Sequence, residues 1–522
     1  MSASRFARSF ALAGVTIVQA CGGLVSQPTA DASLGKRASD AQASGQSVPA
    51  FFPLLVERAR GLGNMPPRPT GTVDLPPSLR DIDYDTYRTV RYKPDRSLWR
   101  GAPGRFEAQF FHMGYVYRDP VAMFVVEGQK ATPYPFSTDL FSYDGVAKPP
   151  PPDPSTLGFT GVRLHAPINR QDYRDEFMVV QGSSYFRVVG AGEAYGLSAR
   201  ALAIDTGEAS GEEFPRFSEV YLERPAGDAE AVWVMALLES RRATGAYAMR
   251  VHPGDTTTVE VVARIFLREP VRVLGVAPLT SMYLFGEEQP AARGDYRPEV
   301  HDSDGLAMRS AGDEWLFRPL RDPPRTTVCS FRLDSPKGFG LVQRDRDFAS
   351  YQDLDARYED RPSAWIEPLS DWGKGQVRLL EIATELETDD NIAMVWVPDQ
   401  VPSDGLDLHY RLHFGAHAPA QPALGKVRAT RYAQRGEGRG RFVIDFADLP
   451  NKAENVEPTL DVSTVGGRLV GQQLIKNPHT KGYRALLDVQ REQSDDIELR
   501  ATLRSESHAL TETWSYLWQP KR

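Results

Sequence analysis

A chain of 522 residues, 41% hydrophobic and 25% charged, is long enough for two or three packed domains and has the balance of a folded globular protein. Its 43 glycines and 40 prolines favour a turn-rich, all-β architecture over a helical one. A net charge of −8 argues against a nucleic-acid surface, which needs a basic patch, and fits a neutral polymer as partner.

The N-terminus reads as an export address. Arg5 and Arg8 precede the apolar run Phe10 to Val18, and Val18-Gln19-Ala20 supplies a cleavage site after Ala20. Residues 1–20 are therefore assigned as a secretory signal; there is no twin arginine. Cys21, directly after the site, raises the alternative of a lipid anchor, which Gln19 fits poorly. The run is too short to span a bilayer, and no later apolar stretch reaches roughly eighteen residues, so no integral membrane segment is expected. Cys21 and Cys329 are the two cysteines, and no intramolecular disulfide is expected unless they meet.

Residues 21–49, rich in Ser, Ala, Gly and Gln, read as a flexible tether. Phe51 to Leu62 has helical spacing with one charged face. From Phe106 onward, apolar and polar residues alternate in run after run, as in FEAQFFHMGYVY, FMVVQGSSYFRVVG and TTTVEVVARIFLR, each bounded by Gly, Pro, Asp or Asn. Lys148 to Pro154 is a proline run expected to form an exposed loop. Strands at this spacing without intervening helices predict a large β-sandwich. The proline-marked stretch Val397 to Gly405 predicts a boundary between a domain at 50–398 and a second one at 403–522. The latter carries roughly seven strands in about 115 residues, the size of an immunoglobulin-like sandwich without the disulfide.

The stretch from Tyr296 to Asn391 is dense in carboxylates, arginines and tryptophans. Trp315, Trp365 and Trp372 beside such charges suggest a polar cleft with aromatic floors, the kind of surface that binds sugars. His301-Asp302-Ser303-Asp304 admits four readings: a calcium loop, which lacks the DxDxDG spacing; a transition-metal site, which lacks a second nearby His or Cys; a catalytic carboxylate; or an Asp-rich turn. Thr388-Asp389-Asp390-Asn391 is a turn signal that gains weight by preceding the apolar strand IAMVWV. In Arg344-Asp345-Arg346-Asp347 the alternatives are substrate contact and an ion-pair network bracing the cleft. Tyr358, Arg361, Trp365, Glu367 and Trp372 follow, with Trp372 in a loop as the better stacking candidate. Arg163, His165, Arg200 and Asp205 are weaker candidates. No GxSxG, Walker loop, helix-opening GxGxxG or HExxH occurs, so no cofactor or metal is expected.

The segments YGLSARALAIDTG, SGEEFP, APLTSMYLFGE, RPEVHDSDGL, PKGFGLVQRDRDF, YQDLDARYEDRPSAWIEP and DNIAMVWVP stand in one order along the chain. They resemble the periplasmic glucan biosynthesis proteins of the OpgG/OpgD (MdoG/MdoD) family, from about Phe51 to the end. The resemblance implies a galactose-mutarotase-like sandwich followed by an Ig-like domain. It also implies action on β-1,2-glucan in the periplasm, as an inverting glycoside hydrolase or a transglycosylase. The matched motifs make Asp390 the general acid and Asp302 the general base, with Tyr358 near the reaction centre. His301, Asp304, Arg346, Asp347, Tyr358, Trp365, Glu367 and Trp372 are expected to bind substrate, and the two catalytic aspartates to face solvent. The missing twin arginine leans toward the G-type. The alternative is a non-catalytic glucan-binding scaffold whose partner is a membrane glucosyltransferase.

Overall fold

The computed structural model describes residues 48–68, 73–146, 157–291, 294–418, 424–450, 457–492, 494–506 and 508–519. The assigned signal, nearly all of the tether and the proline run at 148–154 lie outside these residues. The fold is all-β, as the composition predicts. Its helices are single turns except for Phe52–Gly63.

Two sheets, of 10 and 15 strands, face each other. The main core fills the space between them. It takes Phe110, Val162, Leu164 and Val180 from the smaller sheet and Val220, Val234, Val261 and Phe414 from the larger. The period of two does this locally: in the strand Thr257–Leu267, Val259, Val261, Ala263 and Ile265 all point inward. On the outer face of the larger sheet, the helix Phe52–Gly63 buries Phe52, Leu55 and Ala59 against Tyr221, Met235, Leu237 and Ala248. Spacings of three and four put those side chains on one helical face.

The strand Leu406–Gly415, expected to open the second domain, is instead a central strand of the large sheet. It pairs with Ser363–Pro368 on one side and Thr257–Leu267 on the other. Its Leu408, Tyr410, Leu412 and Phe414 enter the main core. The proline-marked link follows Ile392–Pro398, a strand of the smaller sheet, so the chain changes sheet there without leaving the sandwich. Prolines mark either event, because both end a strand.

The C-terminal strands divide. Lys426–Gly436, Arg439–Ala447, Gly467–Asn477 and Gly482–Arg491 form a separate four-stranded sheet. Thr459–Val465, Ile497–Ser505 and Thr513–Trp518 extend the large sheet through the parallel pairs Leu316↔Thr513 and Phe317↔Trp514. A second core lies between them, with Phe442, Ile444 and Leu487 against Trp315, Trp365, Leu499 and Trp514.

Candidate active site

The strands of the smaller sheet carry charge on the face turned away from the core. In Tyr185–Val188, Phe186 and Val188 enter the main core, so Tyr185 and Arg187 point the other way. The same alternation sets Arg163 opposite Val162 and Leu164, and Ser198 and Arg200 opposite Ala199. These side chains pair with acids. Arg163 donates to Glu176 (3.1 Å) and Arg200 to Glu212 (2.7 Å), with the Arg200 guanidinium 4.9 Å from the Tyr185 ring centre. Arg187 and Arg200 are only 7% and 3% exposed, so this face is charged and largely covered, and it is the candidate wall of the expected cleft.

Asp390 stands in this cleft with its side chain one-third exposed and an oxygen 3.7 Å from Arg187. Asp302 is reached from the other side of the same strand end. The strand Leu274–Ser281 pairs with Ile392–Pro398, and Ser281 lies opposite Ile392. Beyond it, the Met282 carbonyl accepts from the Asp302 amide (2.8 Å), and the Ser281 hydroxyl meets that of Ser303 (2.8 Å). The Asn391 side chain clamps both backbone groups of Tyr283, at 2.8 Å each. Met282 and Tyr283 therefore anchor the residues carrying both aspartates. This pairing explains why the DN sequence matters: Asn391 alone has both a donor and an acceptor for a β-like clamp.

Asp302 is buried rather than solvent-facing. Arg361 donates to its Oδ1, and the two side chains are 5% and 3% exposed. Arg361 is itself fixed by the Ala356 carbonyl (3.0 and 3.2 Å) and lies 4.3 Å from the Tyr358 ring centre. Tyr358 is fully buried, packed with Met282, Phe285, Val300 and Tyr351 beneath the HDSD segment.

His301 faces away from Asp302 into an acidic chamber. Its Nε2 donates to Glu299 (2.9 Å) and its ring stacks on Tyr283 at 5.2 Å. Gln343 gives its amide N–H groups to the carbonyls of His301 and Tyr358, which leaves its oxygen to accept from His301 Nδ1 (3.0 Å). Both ring nitrogens thus have an oxygen within hydrogen-bond distance, an arrangement suited to the protonated imidazole. Among the described residues, Glu299, His301 and Asp304 form one group whose ligand atoms lie within 4.8 Å of one another, and Glu287, Glu299 and Asp345 form another. The second is faced by Arg428, 3.5 Å from Asp345, and Arg431, 3.6 Å from Glu287.

Burial by itself pushes the His301 imidazole down, but Asp304 and Glu299 outweigh it and raise it to about 9. Burial, reinforced by Asp345, pushes Glu287 up to about 9, and burial pushes Glu288 up to about 7. Burial and the charges of Asp304 and Glu299 push Asp345 up too. All four groups bind protons more tightly folded than unfolded. Their stabilisation is complete below the ordinary carboxylate value and is lost as pH rises toward about 9. The urea midpoint is expected to fall between about pH 6 and about pH 9, and Glu287→Gln to flatten that slope; an unchanged slope in the variant would refute the assignment.

The remaining predicted residues separate into braces and core. Asp304 accepts from the Arg344 and Asp345 amides and holds the turn. Arg346 donates to the carbonyls of Glu359 (3.1 Å) and Arg361 (2.5 Å), a brace for the Tyr358 segment. Asp347 is exposed at the N-cap position of the short helix Phe348–Tyr351. Arg344 clamps Glu512 (2.5 and 3.0 Å) and stacks over Phe317, tying in the C-terminal strands. Within the RDRD run Arg344 and Arg346 thus act as braces, past the end of the strand Gly338–Val342.

The tryptophan floors are not formed as expected. Trp365 stacks on Trp315 at 5.3 Å inside the second core, since Ala364 and Ile366 take the main-core face. Glu367 shares the Trp365 face and pairs with His413 (2.9 Å) and Arg411 (3.5 Å). Trp372 folds back from its turn onto Trp396 and Tyr410, at 6.2 and 5.6 Å, at the edge of the main core. Sequence reasoning passed over Tyr185 and Arg187. Their signal was a charged or hydroxylated residue at the alternate positions of neighbouring strands, in VRLH, YFRV and SAR.

The comparisons agree with the motifs. The family model described as "Periplasmic glucan biosynthesis protein, MdoG" matches residues 52–518. A "Glucans biosynthesis protein G" of Ralstonia nicotianae is 45% identical over 502 residues, covering 92% of this chain and 98% of the relative. Proteins of the same name from Rhodopseudomonas palustris and Dickeya dadantii are 44% and 41% identical, covering 90% and 85% of this chain and 94% and 88% of their own lengths. Similarity at this level over nearly the whole sandwich places the chain in the MdoG family of periplasmic glucan biosynthesis proteins.

Proposed function

We propose that the protein acts on β-1,2-glucan in the biosynthesis of osmoregulated periplasmic glucans, as an inverting glucanase or a related transglycosylase. The observation that carries this reading is the anchoring of the Asp302 and Asp390 segments to Met282 and Tyr283 at the edge of the charged face that carries Arg187. Inversion needs one carboxyl group that delivers a proton to the leaving oxygen and one that accepts a proton from water. Asp390, the more exposed, is the acid. Asp302, paired with Arg361, is the base. A direct mechanism sets the carboxyls roughly 6.5–9.5 Å apart, and a relay through a substrate hydroxyl tolerates more. Family membership and the signal-like N-terminus support a periplasmic location, and no described helix is long and apolar enough to cross a membrane. The deciding experiment incubates purified protein with linear β-1,2-glucan; shorter, transferred or cyclic products are expected.

Asp389 serves the acid indirectly. It accepts from the Thr384 hydroxyl (2.8 Å) and closes the loop that presents Asp390. Asparagine preserves that acceptor, so Asp389→Asn is expected to lower kcat/KM by less than about tenfold. A loss as large as that of Asp390→Asn would reassign the acid.

One observation favours the scaffold reading. A general acid must carry a proton, and Arg187 at 3.7 Å competes for the Asp390 carboxylate as a cationic partner. In that reading the same cleft holds glucan for a membrane glucosyltransferase. Absence of any product from wild-type protein, together with glucan binding, would select it.

A further inference from the structure

Three tyrosines stand beside the Arg187 wall of the cleft, from a part of the chain far from the HDSD and TDDN motifs. Tyr84 opens the single-turn helix Tyr84–Tyr87, which Asp83 caps by accepting from the Thr86 amide (2.8 Å). Tyr115 and Tyr117 come from a tight turn closed by the Gly114 and Tyr117 backbones, at 2.9 and 3.0 Å. The rings of Tyr84 and Tyr115 meet edge to face at 6.2 Å. Tyr84, Tyr115 and Tyr117 each keep a minor part of their surface exposed.

Their support is built from buried parts. Tyr87 lies beneath, with its ring 6.4 Å from Tyr115 and 5.4 Å from Tyr117. Its hydroxyl donates to the His112 carbonyl (2.8 Å) and accepts from Gln181 (2.9 Å). The Tyr115 amide donates to the Leu79 carbonyl (2.8 Å), which ties the turn to the helix segment. Tyr115 also has φ +55°, in the left-handed region where a bulky side chain costs energy. Strain, a buried tyrosine and cross-segment hydrogen bonds thus all hold aromatic rings that keep part of their surface at the protein's exterior.

The platform continues the charged cleft. Tyr117 lies against Gly182, the start of the turn that leads into Tyr185–Val188. That strand carries Arg187, which reaches Asp390. The Arg187 charge also acts on Tyr84 and Tyr117. An apolar ring face bordered by arginine and carboxylate matches a pyranose, which offers one C–H face and a rim of hydroxyls.

We propose that Tyr84, Tyr115 and Tyr117 form a glucosyl-binding platform that extends the cleft beyond Asp390 and holds a part of the polymer remote from the bond that reacts. The proposal rests on the glucan-active reading above and adds a binding surface to it. The platform supplies stacking that the tryptophans at 365 and 372, packed into the cores, do not.

The test uses the full chain carrying Asp390→Asn, run through gels containing linear β-1,2-glucan. Tyr84→Ala and Tyr115→Gly should each weaken retardation by about tenfold, the scale of one stacked sugar face. Glycine at 115 suits the left-handed backbone, so that variant keeps its fold, and melting curves verify both. Tyr84→Phe and Tyr115→Phe, which retain the ring, should stay within about twofold of the parent. In the otherwise wild-type chain the same Ala and Gly variants should raise KM on long glucan with kcat unchanged. If the protein is retarded and active but the Ala and Gly variants match it, the platform is overturned while the glucan reading stands. If the parent is not retarded and wild-type protein yields no product, both fall.

Discussion

Asp390→Asn is expected to lower turnover of β-1,2-glucan by roughly 10²-fold or more. The amide cannot deliver a proton to a poor alkoxide leaving group. Folding should survive. The side chain is one-third exposed, and Asn391, not Asp390, makes the clamp on Tyr283. The variant is therefore expected to melt like wild type and to retain glucan binding. Near-normal turnover by a folded Asp390→Asn protein would remove the acid from the mechanism. Rate and melting temperature measured on one preparation settle the point.

The largest stability effect is expected at Arg361. Arg361→Met leaves Asp302 as a buried carboxylate without its cation and abandons the Ala356 carbonyl as well. Breaking a buried pair by removing one partner costs about 3–5 kcal/mol, because the remaining charge keeps its desolvation penalty. A urea-unfolding difference below about 1 kcal/mol would show that water or relaxation supports Asp302 instead. Asp302→Asn should abolish the base and cost stability too, though less, since the amide oxygen still accepts from Arg361. A loss of activity at position 302 must for that reason be read per folded molecule. Position 390 carries no such complication.

Much of the sandwich was legible in the strands. Runs such as TTTVEVVARIFLR bury alternate residues in the structure as their sequence predicts, since a strand's side chains alternate whatever its partners are. The candidate carboxylates entered differently: the residue types of HDSD and TDDN left several readings open, and it was the resemblance to the glucan biosynthesis family that implied catalytic roles for Asp302 and Asp390. The helix at Phe52–Gly63 was legible from its spacing of apolar residues.

Pairing was not legible. Leu406–Gly415 has the pattern of any half-buried strand, and only its partners at 363–368 and 257–267 place it in the large sheet. Trp365 and Trp372 illustrate the same limit. An aromatic residue near charges fits a sugar platform or a core equally well, and the choice depends on which sheet face the residue occupies. Asp302 looked solvent-facing in sequence because its counterion stands 59 positions away, at Arg361. By itself, then, the sequence determined the all-β class, the alternation of each strand and the two acidic motifs, because these depend on residue type and local period. The tertiary structure alone decided that the two motifs are anchored to Met282 and Tyr283, that Arg361 and Arg187 attend them, and that Trp365 and Trp372 pack into the cores. Each of these depends on contacts between segments far apart in the chain, which local pattern does not encode.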